Sequence, residues 1–147
     1  MHELHGYFLE DLSPGMSETL SKTVSQADIL GFADITGDTN PVHLDDDFAA
    51  CTMFGERIAH GMLSAGLISA VLGTRLPGPG CIYLSQSLKF RAPVMIGDQV
   101  SATVTVTEVN PERRHITLDT VCKVGDKVVL AGEAKLMVSS RASLAAE

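Results

Sequence analysis

Between residues 100 and 138 the chain alternates apolar and polar positions in short runs. Val100, Ala102, Val104 and Val106 share one face, with Ser101, Thr103, Thr105 and Thr107 on the other. Ile116, Leu118, Thr120 and Cys122 make a second such face. Val128, Leu130, Ala134, Leu136 and Val138 make a third, with Gly132 a gap where the strand bends. An earlier run over 82–90 sets Ile82, Leu84, Leu88 and Phe90 together, interrupted by Gln86, and residues 17–24 lean toward a strand. Period-two alternation with one apolar side predicts an antiparallel sheet wetted on its other side. Gly125-Asp126 predicts a tight hairpin, while Pro93, Gly97-Asp98 and Asn110-Pro111 mark further turns.

Helical signals fill the first half. Ser25, followed by Asp28, reads as a capping box opening a helix with Ile29, Leu30, Phe32, Ala33 and Ile35, which stops at Gly37. A loop over 38–45 (DTNPVHLD) follows, and Asp45-Asp46-Asp47 primes a short helix through Phe48, Ala49 and Ala50. Residues 58–72 (IAHGMLSAGLISAVL) have only His60, Ser64 and Ser69 as polar side chains. A helix apolar all round is buried all round. Its length, about 22 Å at ~1.5 Å per residue, suits the centre of a small domain and falls short of a bilayer. Gly61, Ala65, Gly66 and Ala70 let other backbone approach it closely. The pattern is α+β: a curved antiparallel sheet wrapped around one long buried helix. With no internal repeat or linker, residues 1–147 are expected to form one domain, its core spanning about 17–138.

Composition narrows the function classes. A net charge of −7 argues against a broad nucleic-acid surface, which needs clustered bases, but leaves room for an anionic small ligand. No apolar run is long enough for a membrane span, and the opening residues carry acids and histidines rather than a basic start with an apolar core. A cytoplasmic protein is the expectation. Cys51, Cys81 and Cys122, odd in number and widely spaced, read as reduced buried thiols. His2-Glu3-Leu4-His5 is one residue short of a zinc-protease HExxH and reads as a disordered terminus. Met53, Met62, Met95 and Met137 read as fillers of core or pocket gaps.

The loop Gly37-Asp38-Thr39-Asn40-Pro41-Val42-His43 sets a carboxylate and an imidazole five positions apart. Extended, five residues reach about 17 Å, so both side chains meet one water only if the loop doubles back. Pro41 and the bias it forces on Asn40 are compatible with such a turn. Together the two groups can take a proton from one atom and deliver one to another. From spacing alone, such a pair more often bonds turn backbone.

Asp38-Thr39-Asn40-Pro41-Val42-His43, then Arg57-Ile58-Ala59-His60-Gly61-Met62-Leu63, then Leu88-Lys89-Phe90 with Pro93-Val94 and Gly97-Asp98, resemble the MaoC-type dehydratases. Among these the chain is most similar to the stand-alone (R)-specific enoyl-CoA hydratases, in unbroken order from about Ser17 to Val138. The resemblance implies a dimeric hotdog fold that hydrates trans-2-enoyl-CoA to (R)-3-hydroxyacyl-CoA, reversibly, linking fatty acid β-oxidation to 3-hydroxyacyl-CoA and polyhydroxyalkanoate precursor supply. It implies Asp38 and His43 as the catalytic pair, Asn40 as a residue orienting them, the Gly61 N–H as donor to the thioester oxygen, and Ser69 as a nearby support. No metal or separate cofactor is implied, because coenzyme A enters as part of the substrate.

His60 reads either as a helix-start histidine satisfied by backbone or as a direct participant. Ser69 reads equally as a support or as a serine bonding a carbonyl one turn back. Arg57, Arg75, Lys89 and Arg91 are candidates for the CoA phosphates, each weighed against an ordinary solvated base. Competing functions are a 3-hydroxyacyl-carrier-protein dehydratase, which the negative charge disfavours against an acidic carrier, a thioesterase on the same fold, and a non-catalytic acyl-CoA-binding module. The last would be expected to lack Asp38 or His43.

Overall fold

The sheet hairpins form where the alternation put them. In the computed structural model, which describes residues 2–146 and the side chains as far as residue 144, β4 (Gln99–Asn110), β5 (His115–Val124) and β6 (Lys127–Met137) form an antiparallel meander. β1 (Ser17–Thr23) pairs with β4 at one edge and β2 (Ile82–Gln86) with β6 at the other; the two-residue β3 (Lys89–Phe90) also pairs with β6. Helices α1 (Gln26–Thr36), α2 (Pro41–Leu44), α3 (Asp46–Ala50) and α4 (Gly61–Thr74) lie between β1 and β2 in sequence, and α5 (Arg141–Ala146) follows β6. α4 packs into the curve of the sheet, chiefly against β4. This is the α+β hotdog arrangement.

Val100, Ala102, Val104 and Val106 are buried against Ile68, Val71 and Leu72 of α4, with Ile116, Leu118, Cys122, Leu130, Ala134 and Leu136 beside them. One expected position differs. The register slips between Cys122↔Leu130 and Lys123↔Val128, so the extra residue Val129 turns inward and Val128 is left half-buried. Thr120 sits fully buried in this apolar face because Gln86 Nε2 donates to its hydroxyl at 2.8 Å. The two polar interruptions in the alternation are thus each other's partners.

Five expectations are corrected. α4 begins at Gly61, since Ile58 instead bridges Met95, and it is not buried all round: Gly61, Met62, Gly66 and Ser69 form an open face. β2 is an edge strand with Leu84 in a bulge, so Ile82 and Leu84 are exposed rather than turned into the core, as is Phe90 on β3. From His5 onward the N-terminal segment is docked, not disordered. His5 stacks on Phe8 at 3.9 Å, Tyr7 N–H donates to Pro77 C=O at 2.8 Å, and Asp11 pairs with Arg141 at 2.8 Å. Cys51 is exposed, whereas burial pushes the Cys122 thiol up to about 12. Met53 is exposed too, so it fills no core gap.

Gly132 marks a close approach. A Cβ there would lie 1.8 Å from the Ser87 carbonyl oxygen, which belongs to the crossing between β2 and β3. Replacing Gly132 with Ala is expected to destabilise the fold by ~1–3 kcal/mol in urea unfolding, the usual cost of overpacking. Gly31→Ala, in α1 with open space around it, is expected to be neutral or stabilising in the same measurement.

Candidate active site

α1 starts at the Ser25–Asp28 capping box and ends at Gly37, whose φ of 77° turns the chain sharply. Asp38 follows, and its Oδ1 accepts the Asn40 N–H at 3.3 Å. Asn40 Oδ1 in turn accepts the Val42 N–H at 3.1 Å, capping α2 with Pro41 in its first turn. The stretch 38–45, expected as loop, therefore contains one helical turn. Proline presets φ at the first helical position and the asparagine side chain supplies the cap, which together make so short a helix possible. The turn doubles the chain back and carries His43 inward, where it is buried.

Two further segments fix the imidazoles. His43 Nδ1 lies 2.7 Å from Ile58 C=O, while the Ile58 N–H donates to Val42 C=O at 3.3 Å. His60, also buried, places Nε2 2.9 Å from the Asp38 main-chain carbonyl. Its ring packs on Phe32 at 4.7 Å and on His43 at 3.9 Å between centroids. A carbonyl oxygen only accepts, so His43 Nδ1 and His60 Nε2 both carry the proton. In their neutral forms His43 Nε2 and His60 Nδ1 are then free lone pairs. One donor atom from each of Asp38, His43 and His60 lies within 4.8 Å of the others.

Such a cluster can hold and deprotonate a water. Its carboxylate and two imidazoles are also donor types that a divalent metal accepts.

Two cavities, of about 510 and 740 Å³, meet at this cluster, both lined by His43, His60, Gly61 and Met62. The smaller runs past Phe54, Phe90, Arg91 and Val94 to Leu130; the larger is bounded by Phe32, Asp38, Ser69, Tyr83 and Gln86. Between them stands the N-terminus of α4. The Gly61 N–H has no hydrogen-bond partner among the described residues. The helix dipole adds positive character there, a suitable environment for developing oxyanion charge. The Phe90 ring lies so close that a Cβ on residue 61 would meet it at 2.5 Å.

Of the residues singled out by sequence, Asp38, Asn40, His43, His60 and Gly61 come together here. Ser69 lines the larger cavity and makes no hydrogen bond one turn back along α4 among the described residues. Among the bases, Arg91 lines the smaller cavity and Lys89 is exposed between the cavity-lining Leu88 and Phe90. The other two bases are held away from the cluster. Arg57 is held inward, with Nε 2.9 Å from Asp46 Oδ1 outside hydrogen-bond alignment and Nη1 3.4 Å from Leu44 C=O. It braces the α2–α3 junction. Arg75, at the far end of α4, donates to Thr19 C=O on β1 and lines neither cavity. Phe32, Phe90 and Ser64 escaped the sequence reading as site residues, because each sits in a run whose pattern signals only core or strand.

The MaoC like domain matches residues 13–128, from before β1 into β6. The chain belongs to the MaoC-like family. It is similar to an (R)-specific enoyl-CoA hydratase of Rhodospirillum rubrum, 58% identical over 92% of this chain and 94% of the relative. A 3-hydroxybutyryl-CoA dehydratase of Methylorubrum extorquens is also 58% identical, over 95% and 88%. Among solved structures, the (R)-hydratase from A. caviae involved in PHA biosynthesis superimposes with a TM-score of 0.85 at 43% identity, covering 88% of this chain and 98% of that one. These MaoC-like relatives share the hotdog fold described above.

Because Asn40 both receives the Asp38 turn and caps the helix bearing His43, Asn40→Ala is expected to lose ~0.5–2 kcal/mol of stability by thermal or urea unfolding. Asn40→Asp, which can still accept the Val42 N–H, is expected to recover most of it.

Proposed function

We propose that this protein is an (R)-specific enoyl-CoA hydratase, adding water across trans-2-enoyl-CoA to give (R)-3-hydroxyacyl-CoA and catalysing the reverse dehydration. The observation carrying this reading is the convergence of Asp38 and His43 beside the unpartnered Gly61 amide, where two cavities meet. The names of the close MaoC-like relatives support it. A thioester fits this layout with its carbonyl at Gly61 and one arm in each cavity.

The chemistry follows from the proton positions. His43 commits Nδ1–H to Ile58 and offers Nε2, and the Asp38 carboxylate offers a second acceptor, so the pair holds one water. As the water oxygen bonds to C3, its proton passes to this pair and negative charge moves to the thioester oxygen. The Gly61 N–H stabilises that charge; one donor of this kind is typically worth ~2.7–4 kcal/mol of barrier. Return of a proton to C2 restores the carbonyl and the pair. His60 and Asn40 hold the Asp38 turn, and Ser69 borders the same space.

Coenzyme A, rather than a carrier protein, is the proposed carrier, since a net charge of −7 opposes docking of an acidic partner. Arg91 and Lys89 are the bases proposed for its phosphates. No helix of the described residues is long and apolar enough to cross a membrane. We place the enzyme in the cytoplasm as a single MaoC-like domain that draws enoyl-CoA from β-oxidation and supplies (R)-3-hydroxyacyl-CoA as polyhydroxyalkanoate precursor. The exposed apolar edge formed by Ile82, Tyr83 and Leu84, beside the open face of α4, supports a homodimer covering the larger cavity.

Asp38→Asn and His43→Ala are each expected to cut kcat/KM for crotonyl-CoA hydration by at least ~100-fold while the protein stays folded. Loss of the conjugated thioester absorbance measures the rate, and chiral analysis should return the (R) product. Near-parental turnover in either variant rejects the assignment. Activity that survives exhaustive dialysis against a chelator is expected for the acid–base reading, whereas loss restored by a divalent metal would assign the cluster to a metal. Sedimentation equilibrium is expected to give twice the chain mass, and Leu84→Lys to shift the equilibrium toward monomer.

A further inference from the structure

The smaller cavity is apolar over most of its wall, yet two polar side chains lining it are satisfied by nothing among the described residues. His60 is 2% exposed and Ser64 3% exposed. Neither His60 Nδ1 nor Ser64 Oγ has a hydrogen-bond partner among the described residues, and both residues line this cavity. They flank the start of α4, His60 as the residue that precedes the helix and Ser64 in its first turn. Their hydrogen-bonding capacities are also complementary. His60 Nε2–H is committed to the Asp38 carbonyl, so Nδ1 only accepts, while the serine hydroxyl is free to donate. Buried polar atoms are nearly always paired, so two such atoms on residues that line one cavity call for a partner from that side.

We propose that His60 Nδ1 and Ser64 Oγ form a binding notch for one hydroxyl group, which donates to His60 and accepts from Ser64. A secondary amide fits less well, because its N–H and C=O point in opposite directions. Two sources supply the group: a water, or the hydroxyl of the 3-hydroxyacyl thioester. Through this notch Ser64 is a positioning residue. Occupying Nδ1 keeps the proton of neutral His60 on Nε2, and with it the tether to the Asp38 turn. An unoccupied notch lets that proton move to Nδ1, and the tether is lost. The kinetic consequence rests on the hydratase reading; the proton position does not.

The experiment compares the parent chain with Ser64→Ala and Ser64→Thr by long-range ¹⁵N–¹H correlation spectra of the imidazoles, assigned against His60→Gln. The parent is expected to show His60 protonated on Nε2 with Nδ1 shifted by an accepted hydrogen bond. In Ser64→Ala the Nδ1 signal should move toward its unbonded position or report mixed tautomers, and Ser64→Thr should restore it. Crotonyl-CoA hydration is expected to fall roughly fivefold in kcat for Ser64→Ala, about the worth of one net hydrogen bond, and to recover in Ser64→Thr.

The two sources separate in the same series. A water gives the spectral change in the free protein and leaves KM unaltered for both thioesters. A substrate hydroxyl gives the change only after (R)-3-hydroxybutyryl-CoA is added, and raises KM for that thioester alone. A His60 Nδ1 signal identical in parent and Ser64→Ala, free and with (R)-3-hydroxybutyryl-CoA, overturns the notch whatever the kinetics show. A protein without hydratase activity whose Nδ1 signal still responds to Ser64→Ala would overturn the functional reading and keep the notch.

Discussion

The contact between His60 and the main chain of Asp38 determines whether the rest of the site exists. It joins the residue preceding α4 to the turn that leaves α1, across 22 positions of sequence. Within that span lie the helix bearing His43 and the strand bridge at Ile58. The acceptor is a backbone carbonyl, so the tether holds the position of Asp38 without engaging its carboxylate. Stacking of His60 on His43 closes the arrangement, and three segments that share no regular hydrogen-bond ladder are held together by two imidazole rings.

Main-chain partners also give the site its proton logic. The Ile58 carbonyl keeps the His43 proton on Nδ1, so the lone pair on Nε2 is set before any ligand arrives. The amide at the head of α4 is fixed by the helix that the sheet surrounds, and its availability follows from being the first residue of that helix. The hydrophobic core is therefore part of the chemistry: Ile68, Val71 and Leu72 hold α4, and α4 aims the donor.

Much of the fold was legible because β4, β5 and most of β6 obey a two-residue period with one face buried. The alternation failed at β2, where the apolar residues lie at an open edge and nothing in one chain covers them. A period reports which residues want burial, not which molecule supplies it. At Val129 the failure was one of register, since a bulge transfers burial from Val128 to its neighbour without changing the composition of the strand. In the site, Asp38, His43 and Gly61 were legible only through motif resemblance, because spacing alone more often belongs to an ordinary turn. The short helix α2 was missed, as its stability comes from the Asn40 cap and Pro41 rather than from any apolar stripe. The partners of Arg57 and Arg75 were not legible, because a base's charge is visible in sequence, whereas the carbonyl or carboxylate that claims it is brought near only by folding.

The strand order has a consequence for how the chain matures. β1 must wait for β4, whose paired residues lie some 80 positions later, and β2 for β6, about 50 positions on. The β4–β5–β6 meander closes through short local turns, which form early because little chain entropy is lost. During synthesis, therefore, the histidine-bearing segments and an adhesive apolar ribbon emerge from the ribosome well before the scaffold that shelters them. A nascent chain stalled ahead of residue 127 would display that ribbon without its partner strand, a natural target for chaperones and a seed for misassociation.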